Sequence, residues 1–236
     1  MAAAATTVAP VLPAGAALRL TGRGLPRGLD EARHPDTIRR ILRTAEEIFA
    51  ERGLAGARTS AIARGARVNQ ALLYYYFQSK EELHRFTLEM LFSQLQAQAT
   101  SALEAHDTPR ERLLGYVNAY FDFVAAHPNY PRLVERELMS TGPRLGGIVE
   151  NYFRPLHGRL TAAIRGGIAR GEFRRVDPRN TVVTLIAMTV FYFAAAPVLG
   201  EMWGCDPLTP KRVAARRRAV LDFLEHGLFL QRARTR

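Results

Sequence analysis

Residues 62–83, IARGARVNQALLYYYFQSKEEL, decide the reading of this chain. They hold a short helical stretch, a tight turn, a second short helix dense in aromatics, and a strongly capped third helix. Upstream, Ile38, Ile41, Leu42, Ala45, Ile48 and Phe49 recur at helical spacing, and Gly53 breaks that helix. Ile62, Ala63, Ala66, Val68, Leu72, Leu73 and Phe77 supply the apolar positions of a small three-helix core. Asn69, Gln70, Ala71, Leu72, Tyr74 and Tyr75 cannot all face inward on so short a helix. Asn and Gln can pair bidentately with adenine, and alanine or aromatic rings can meet thymine methyls or pack on the sugar-phosphate backbone. A turn before a short exposed helix is a common way to place side chains in the DNA major groove.

At these residues the chain resembles the TetR family of bacterial transcriptional repressors. The resemblance begins with Ile41, Leu42, Ala45, Phe49 and Gly53. It continues through Ile62-Ala63-Arg64, Ala66 and Val68, and ends on Leu73-Tyr74-Tyr75-Tyr76-Phe77 followed by Ser79-Lys80-Glu81-Glu82-Leu83. It implies that Asn69, Gln70 and Tyr75 face the groove. It also implies that Thr37, Arg58, Thr59, Tyr74 and Lys80 meet phosphates. Ser79 with Glu82 forms a capping box, and free amides at such a helix start hold phosphate well. Three positions stand out against the family pattern: Arg67 holds the turn position where glycine is common, Ala71 stands where glycine or another small residue is usual, and Ala61 where an acid is usual. Arg67 at positive φ would cost roughly 1 kcal/mol that glycine avoids, and would place a guanidinium beside the turn for a phosphate or base contact.

The remainder is punctuated into helices. Thr108-Pro109 with Glu111, Asp177-Pro178 and Thr209-Pro210 each read as a cap followed by a first-turn proline, while Gly146-Gly147 and Gly171 read as breaks. The expected helices are 36–52, one beginning near 59, 69–76, 80–104, 109–126, 130–139, 147–170, 178–198 and 209–229. No alternating strand run appears. An all-α protein of about nine helices follows: a helix-turn-helix head over 35–80 and a helical effector-binding and dimerisation domain over 81–230, joined by the fourth helix. Residues 1–34 read as a disordered, basic, alanine-rich leader and 231–236 as a basic tail. No basic region precedes the apolar start, and Pro10 and Pro13 interrupt it, which argues against a signal peptide.

The formal net charge of +11 agrees with a nucleic-acid partner, and its distribution says more. Residues 1–80 carry twelve Arg or Lys against six acids, residues 81–200 thirteen against twelve, and the last 36 eight against four. Cys205 is the sole cysteine, so no internal disulfide forms, no Cys/His cluster has zinc spacing, and a cytoplasmic location is expected. No metal or other cofactor is expected. There is no HExxH, phosphate-cradling loop or dinucleotide fingerprint, so the chain does not read as an enzyme.

Residues 181–199 carry no charge and approach the length of a membrane span; a helix buried on most faces is the better physical account. The final helix places Val213, Arg217, Val220, Leu221, Leu224 and Leu228 at three- and four-residue steps. Two such helices pair with their symmetry mates, and the resemblance also implies dimerisation through the last two long helices. Val182, Ile186, Val190, Val213, Arg217, Val220, Leu224 and Leu228 are the candidate homodimer residues. A dimer matches a pseudo-palindromic double-stranded DNA operator. Tyr116, Tyr120, Phe123, Phe153, His157, Met188, Phe191 and Tyr192 are candidates for a small-molecule effector cavity. Asn118, Glu135, Glu137 and Arg165 are further polar candidates to orient a ligand, and His127 before Pro128 reads as a helix end. A transcriptional activator of the same fold, or a helical interaction module with only nonspecific DNA binding, remains the alternative.

Overall fold

Helix α1 (Pro35–Gly56) starts on a proline with Asp36 in its first turn, both suited to amides that lack helical partners. The chain turns at Gly53, whose φ of 66° lies where a side chain is strained. Two short helices follow, α2 (Thr59–Gly65) and α3 (Gln70–Tyr76), and then α4 (Lys80–Glu104). Ile41, Ala45 and Phe49 of α1, Ile62 of α2, and Leu73 and Phe77 around α3 are all fully buried together. Tyr76 joins this core, whereas Tyr74 and Tyr75 stay exposed. The structure is a computed structural model and describes residues 35–138 and 143–230; the expected leader and tail lie outside the described residues.

The body comprises α5 (Pro109–Ala126), α6 (Tyr130–Leu138), α7 (Pro143–Ile148), a π-helical stretch Val149–Phe153, α8 (Arg154–Ala169), α9 (Pro178–Ala194), α10 (Ala196–Trp203) and α11 (Pro210–Gly227). Helix α4 runs along α5 and packs against α1 at its head end; α8 lies on α5 and α9, and α11 on α5. Eleven α-helices and one isolated bridge, Phe173 to Phe229, make the protein all-α among the described residues.

The caps behave as their side chains dictate. Ser79 accepts from the Glu82 amide at 3.0 Å, Thr108 from Glu111 at 3.2 Å, and Asp177 from Asn180 at 2.7 Å. Glu82 reaches back to the Gln78 amide at 2.7 Å, one residue before the cap. Thr209 corrects the expectation, since its side chain makes no cap bond. Gly146 and Gly147 do not break the chain either, because α7 runs through them into the π-helical stretch.

The single helix expected over 178–198 is two helices bent by 67°. Pro197 has no N–H to donate to the preceding turn, and its ring disfavours helical continuation there. No single helix among the described residues is long and apolar enough to cross a membrane; only this bent pair passes on length and composition together.

Candidate nucleic-acid interface and effector cavity

Helix α2 closes with a left-handed residue, and that residue is Arg67, at φ 56°. Its amide donates to the Arg64 carbonyl at 3.1 Å, and the Val68 amide to Ala63 at 2.9 Å, the pair of bonds that ends a helix in a Schellman motif. The Arg67 side chain is exposed beside the start of α3. Arg67→Gly is expected to raise Tm by about 2–4 °C by removing roughly 1 kcal/mol of strain. The same change is expected to lower DNA affinity and reduce the slope of log affinity against log salt by about one. Thermal melts and salt-dependent binding check both directions; a higher Tm with unchanged affinity would make Arg67 a strained turn residue only.

Helix α3 offers Gln70, Ala71, Tyr74 and Tyr75 on one exposed flank. Gln70 donates through Nε2 to Thr59 Oγ1 at 3.2 Å, and that hydroxyl also pairs with Tyr74 OH at 3.2 Å. This chain of polar groups links α2 and α3 at the surface, and Arg58 stands exposed just before it. Three expected contacts have work inside the protein. Asn69 caps α3, with Oδ1 accepting from the Leu72 amide at 2.6 Å, so a bidentate adenine contact would compete with the cap. Lys80 donates to the carbonyls of Ala57 at 3.2 Å and Ala55 at 3.4 Å, tying α4 to the end of α1. Thr37 accepts from Arg40 Nη2 at 3.3 Å. Arg40, which sequence reasoning missed, also donates to the Ala66 carbonyl at 3.2 Å and so fixes the α2 end against α1.

A cavity of about 230 Å³ opens within the body. Helix α4 contributes Phe92, Leu95 and Gln96, and α5 Tyr116 and Tyr120; α6 and the π-helical stretch add Tyr130, Val134, Tyr152 and Phe153. Leu156 and His157 of α8 and Ile186 and Val190 of α9 complete the wall. Phe92 organises the aromatics, stacked on Tyr152 with centroids 5.7 Å apart and edge-on to Phe153 at 5.3 Å. Burial pushes the Tyr116, Tyr120 and Tyr130 phenols up from their ordinary range, and Tyr152 up to about 12, so all four stay protonated.

Four sequence-expected effector residues, Tyr116, Tyr120, Phe153 and His157, therefore come together. Four do not. Phe191 is 66% exposed, and Tyr192 is buried with its hydroxyl on the Pro207 carbonyl at 2.6 Å. Phe123 stacks on His127 at 4.5 Å, at the end of α5, and Met188 packs on the core away from the cavity. Among the additional polar candidates, Glu135 and Arg165 are exposed, Asn118 is half-buried and Glu137 sits 3.7 Å from His84. Tyr130 and Phe92, absent from the sequence choice, carried no signal beyond being aromatic.

The candidate homodimer residues divide as sharply. Val182, Val220, Leu224 and Leu228 are buried within the protomer, and Ile186 and Val190 line the cavity. Arg217 pairs with Asp122 at 2.5 Å and lies over the Phe121 ring, while Val213 is half-buried. Their apolar stripes face the core because that is where the largest apolar area is removed from water. The exposed apolar side chains of these helices are instead Val183 and Phe191 of α9, Val198, Met202 and Trp203 of α10, and Phe223 of α11.

Head and body meet at a buried polar seam. His84 of α4 lies edge-on to Phe49 of α1 at 4.7 Å, and Arg136 of α6 donates to the Glu51 carbonyl at 3.3 Å. Glu46 of α1 is 8% exposed and bonded to Asn129. Burial chiefly, with help from Glu47, lifts its carboxyl from 4.5 to about 7, against the opposing influence of Asn129 and Arg43. A raised carboxyl favours the fold fully below the unfolded value and loses that contribution as pH rises through 7, an effect of ~3 kcal/mol for this shift. Glu46→Gln is expected to flatten the fall in Tm between pH 5 and pH 8, and to melt several degrees above the parent at pH 8. Parallel pH slopes in the two proteins would contradict a buried, titrating Glu46.

Fold and surface together define a helix-turn-helix regulator of transcription. The family model described as "Bacterial regulatory proteins, tetR family" matches residues 41–85, and the "Tetracyclin repressor-like, C-terminal domain" model matches residues 109–224. The chain is 30% identical over 200 residues to the HTH-type transcriptional repressor SCO4008 of Streptomyces coelicolor, covering 80% of this chain and 98% of that one. It is 31% identical over 194 residues to the HTH-type transcriptional repressor NicS of Pseudomonas putida, covering 80% and 90%. In fold it resembles the ketosteroid transcriptional regulator KstR2 of Mycobacterium tuberculosis, with TM-score 0.69, 22% identity, and 88% of this chain and 100% of that one covered. The protein belongs to the TetR family of DNA-binding transcriptional regulators.

Proposed function

We propose that the protein is a repressor that binds a pseudo-palindromic operator as a homodimer in the cytoplasm and is released by a small-molecule effector. The division into a DNA-binding head over 35–80 and an effector-binding, dimerising body over 81–230 belongs to the same reading. Helix α4 carries it: its first turn is tied to the end of α1 through Lys80, and its middle forms one wall of the cavity. Helix α6 is a second link, with Tyr130 and Val134 at the cavity and Arg136 against the end of α1. A ligand that fits one arrangement of these helices better than another shifts the spacing of the two heads, and operator and effector then weaken each other reciprocally. Similarity to SCO4008 and NicS supports repression over activation.

The proposed dimer surface is the outward face of α9 and α11, centred on Val183, Phe191 and Phe223. Large exposed apolar side chains on adjacent helices fit a self-complementary two-fold interface. Selection of bound sequences from a random duplex library at fixed, near-physiological salt tests the reading. An inverted repeat with half-sites about one helical turn apart is expected. Enrichment of no sequence by folded, dimeric protein would leave a helical interaction module with nonspecific DNA binding.

A further inference from the structure

Resting on the effector reading, we infer that the cavity takes an uncharged, largely apolar molecule of one substituted ring, held through a hydrogen-bond acceptor on the Tyr120 hydroxyl. Tyr120 OH is buried and has no hydrogen-bond partner. A buried phenol left unpaired is a standing penalty that a bound acceptor removes. Two neighbouring polar groups already have partners: Gln96 donates to the Asn151 carbonyl at 3.5 Å, and His157 Nδ1 lies 3.5 Å from Thr161 Oγ1. A neutral phenol has one proton to donate, and burial, which pushes the Tyr120 hydroxyl up from its ordinary range, keeps that proton in place.

Charge and size narrow the class. Among the described residues no Asp, Glu, Lys or Arg lines the cavity. A ligand ion would lose its water without gaining a permanent counter-charge, and for a cation each ring face supplies only about 0.5–2 kcal/mol with no carboxylate beside it. The volume of about 230 Å³ falls below the range of drug-sized sites. Scaled from a dry cavity of roughly 150 Å³ that admits benzene, it accommodates roughly nine or ten heavy atoms.

The test uses four probes of matched size on the full chain: acetophenone, which carries an acceptor; ethylbenzene, which lacks one; and the ions benzoate and phenyltrimethylammonium. Calorimetric titration is expected to show saturable binding of both neutral probes, with acetophenone the tighter, and none of either ion. Tyr120→Phe is expected to weaken acetophenone about tenfold, the loss of one hydrogen bond, and to leave ethylbenzene unchanged. Because the variant removes only an unpaired hydroxyl, its fold is expected to survive, and ethylbenzene binding reports that the cavity is intact. Tighter binding of either ion, unchanged acetophenone affinity in Tyr120→Phe, or binding of no probe would overturn the inference. Operator affinity measured with acetophenone bound separates this inference from the effector reading. Binding without any change in DNA affinity would refute ligand-controlled release while leaving the ligand class standing. Release by an ion alone would do the reverse.

Discussion

Replacing Gln70 and Tyr75 together by alanine is expected to lower operator affinity about a hundredfold, since each good contact to a base edge is worth ~1–3 kcal/mol. Both side chains are exposed on α3 and neither contributes to the head core of Phe49, Ile62, Leu73 and Phe77. The structural losses are confined to the Gln70–Thr59 hydrogen bond and an edge contact between Tyr75 and Tyr76 with centroids 5.3 Å apart. Tm is therefore expected to fall by no more than about 2–4 °C, the equivalent of ~1 kcal/mol in a chain of this size. Neither residue is charged, so binding to random duplex and its salt slope are expected to hold. Parallel titrations of the selected operator and of random DNA, at one salt concentration, give the ratio that matters. A loss below threefold on the operator would move sequence readout away from this face, and equal losses on both DNAs would make it a nonspecific contact.

The head was legible because short helices force a division of labour that composition reveals. Seven residues of α3 cannot bury Gln70, Tyr74 and Tyr75 alongside Leu73 and Tyr76, and the fold leaves the first three exposed. Caps were legible for a similar reason: Ser79, Thr108 and Asp177 each precede a helix start whose amides need an acceptor. What sequence did not reveal is which polar group an internal partner claims first. Lys80 and Thr37 looked available, but the α1 carbonyls and Arg40 lie within their reach. Helix α9 was harder still. A segment with no charged residue between Thr181 and Ala194 has no polar face to set its rotation, so periodicity did not separate Ile186, which lines the cavity, from Val183, which faces outward. That rotation is fixed by packing on α8 and α6, which only the assembled body defines.

The same dependence on assembled packing makes Gly167→Ala the stability change with the largest expected effect, a loss of ~3 kcal/mol at the upper end of overpacking and about 6–12 °C in Tm. A Cβ at Gly167 would stand 2.2 Å from Cδ2 of the Phe173 ring, far inside any real contact. The ring has nowhere to go. Phe173 is 2% exposed, stacks on Phe229 at 4.9 Å, and is held by its own amide bond to the Gly167 carbonyl at 3.1 Å. Around it the chain end is clasped to the turn after α8: Arg174 donates to the Leu228 carbonyl at 3.0 Å and Leu230 to Glu172 at 2.8 Å, while the Arg110 guanidinium lies over Phe229. Gly166, one residue earlier, is the control. A Cβ there meets only Pro109 Cγ at 3.7 Å, an ordinary contact, so Gly166→Ala is expected to gain up to ~1 kcal/mol from helix propensity alone. Opposite shifts at adjacent glycines would locate the effect in the ring contact, whereas equal shifts would assign both to helix propensity. Because the clasp orients α11 and its exposed Phe223, dimer association measured beside the melts is expected to weaken in Gly167→Ala and not in Gly166→Ala. Loss of thermal stability with an unchanged dimer constant would separate the clasp from the proposed interface.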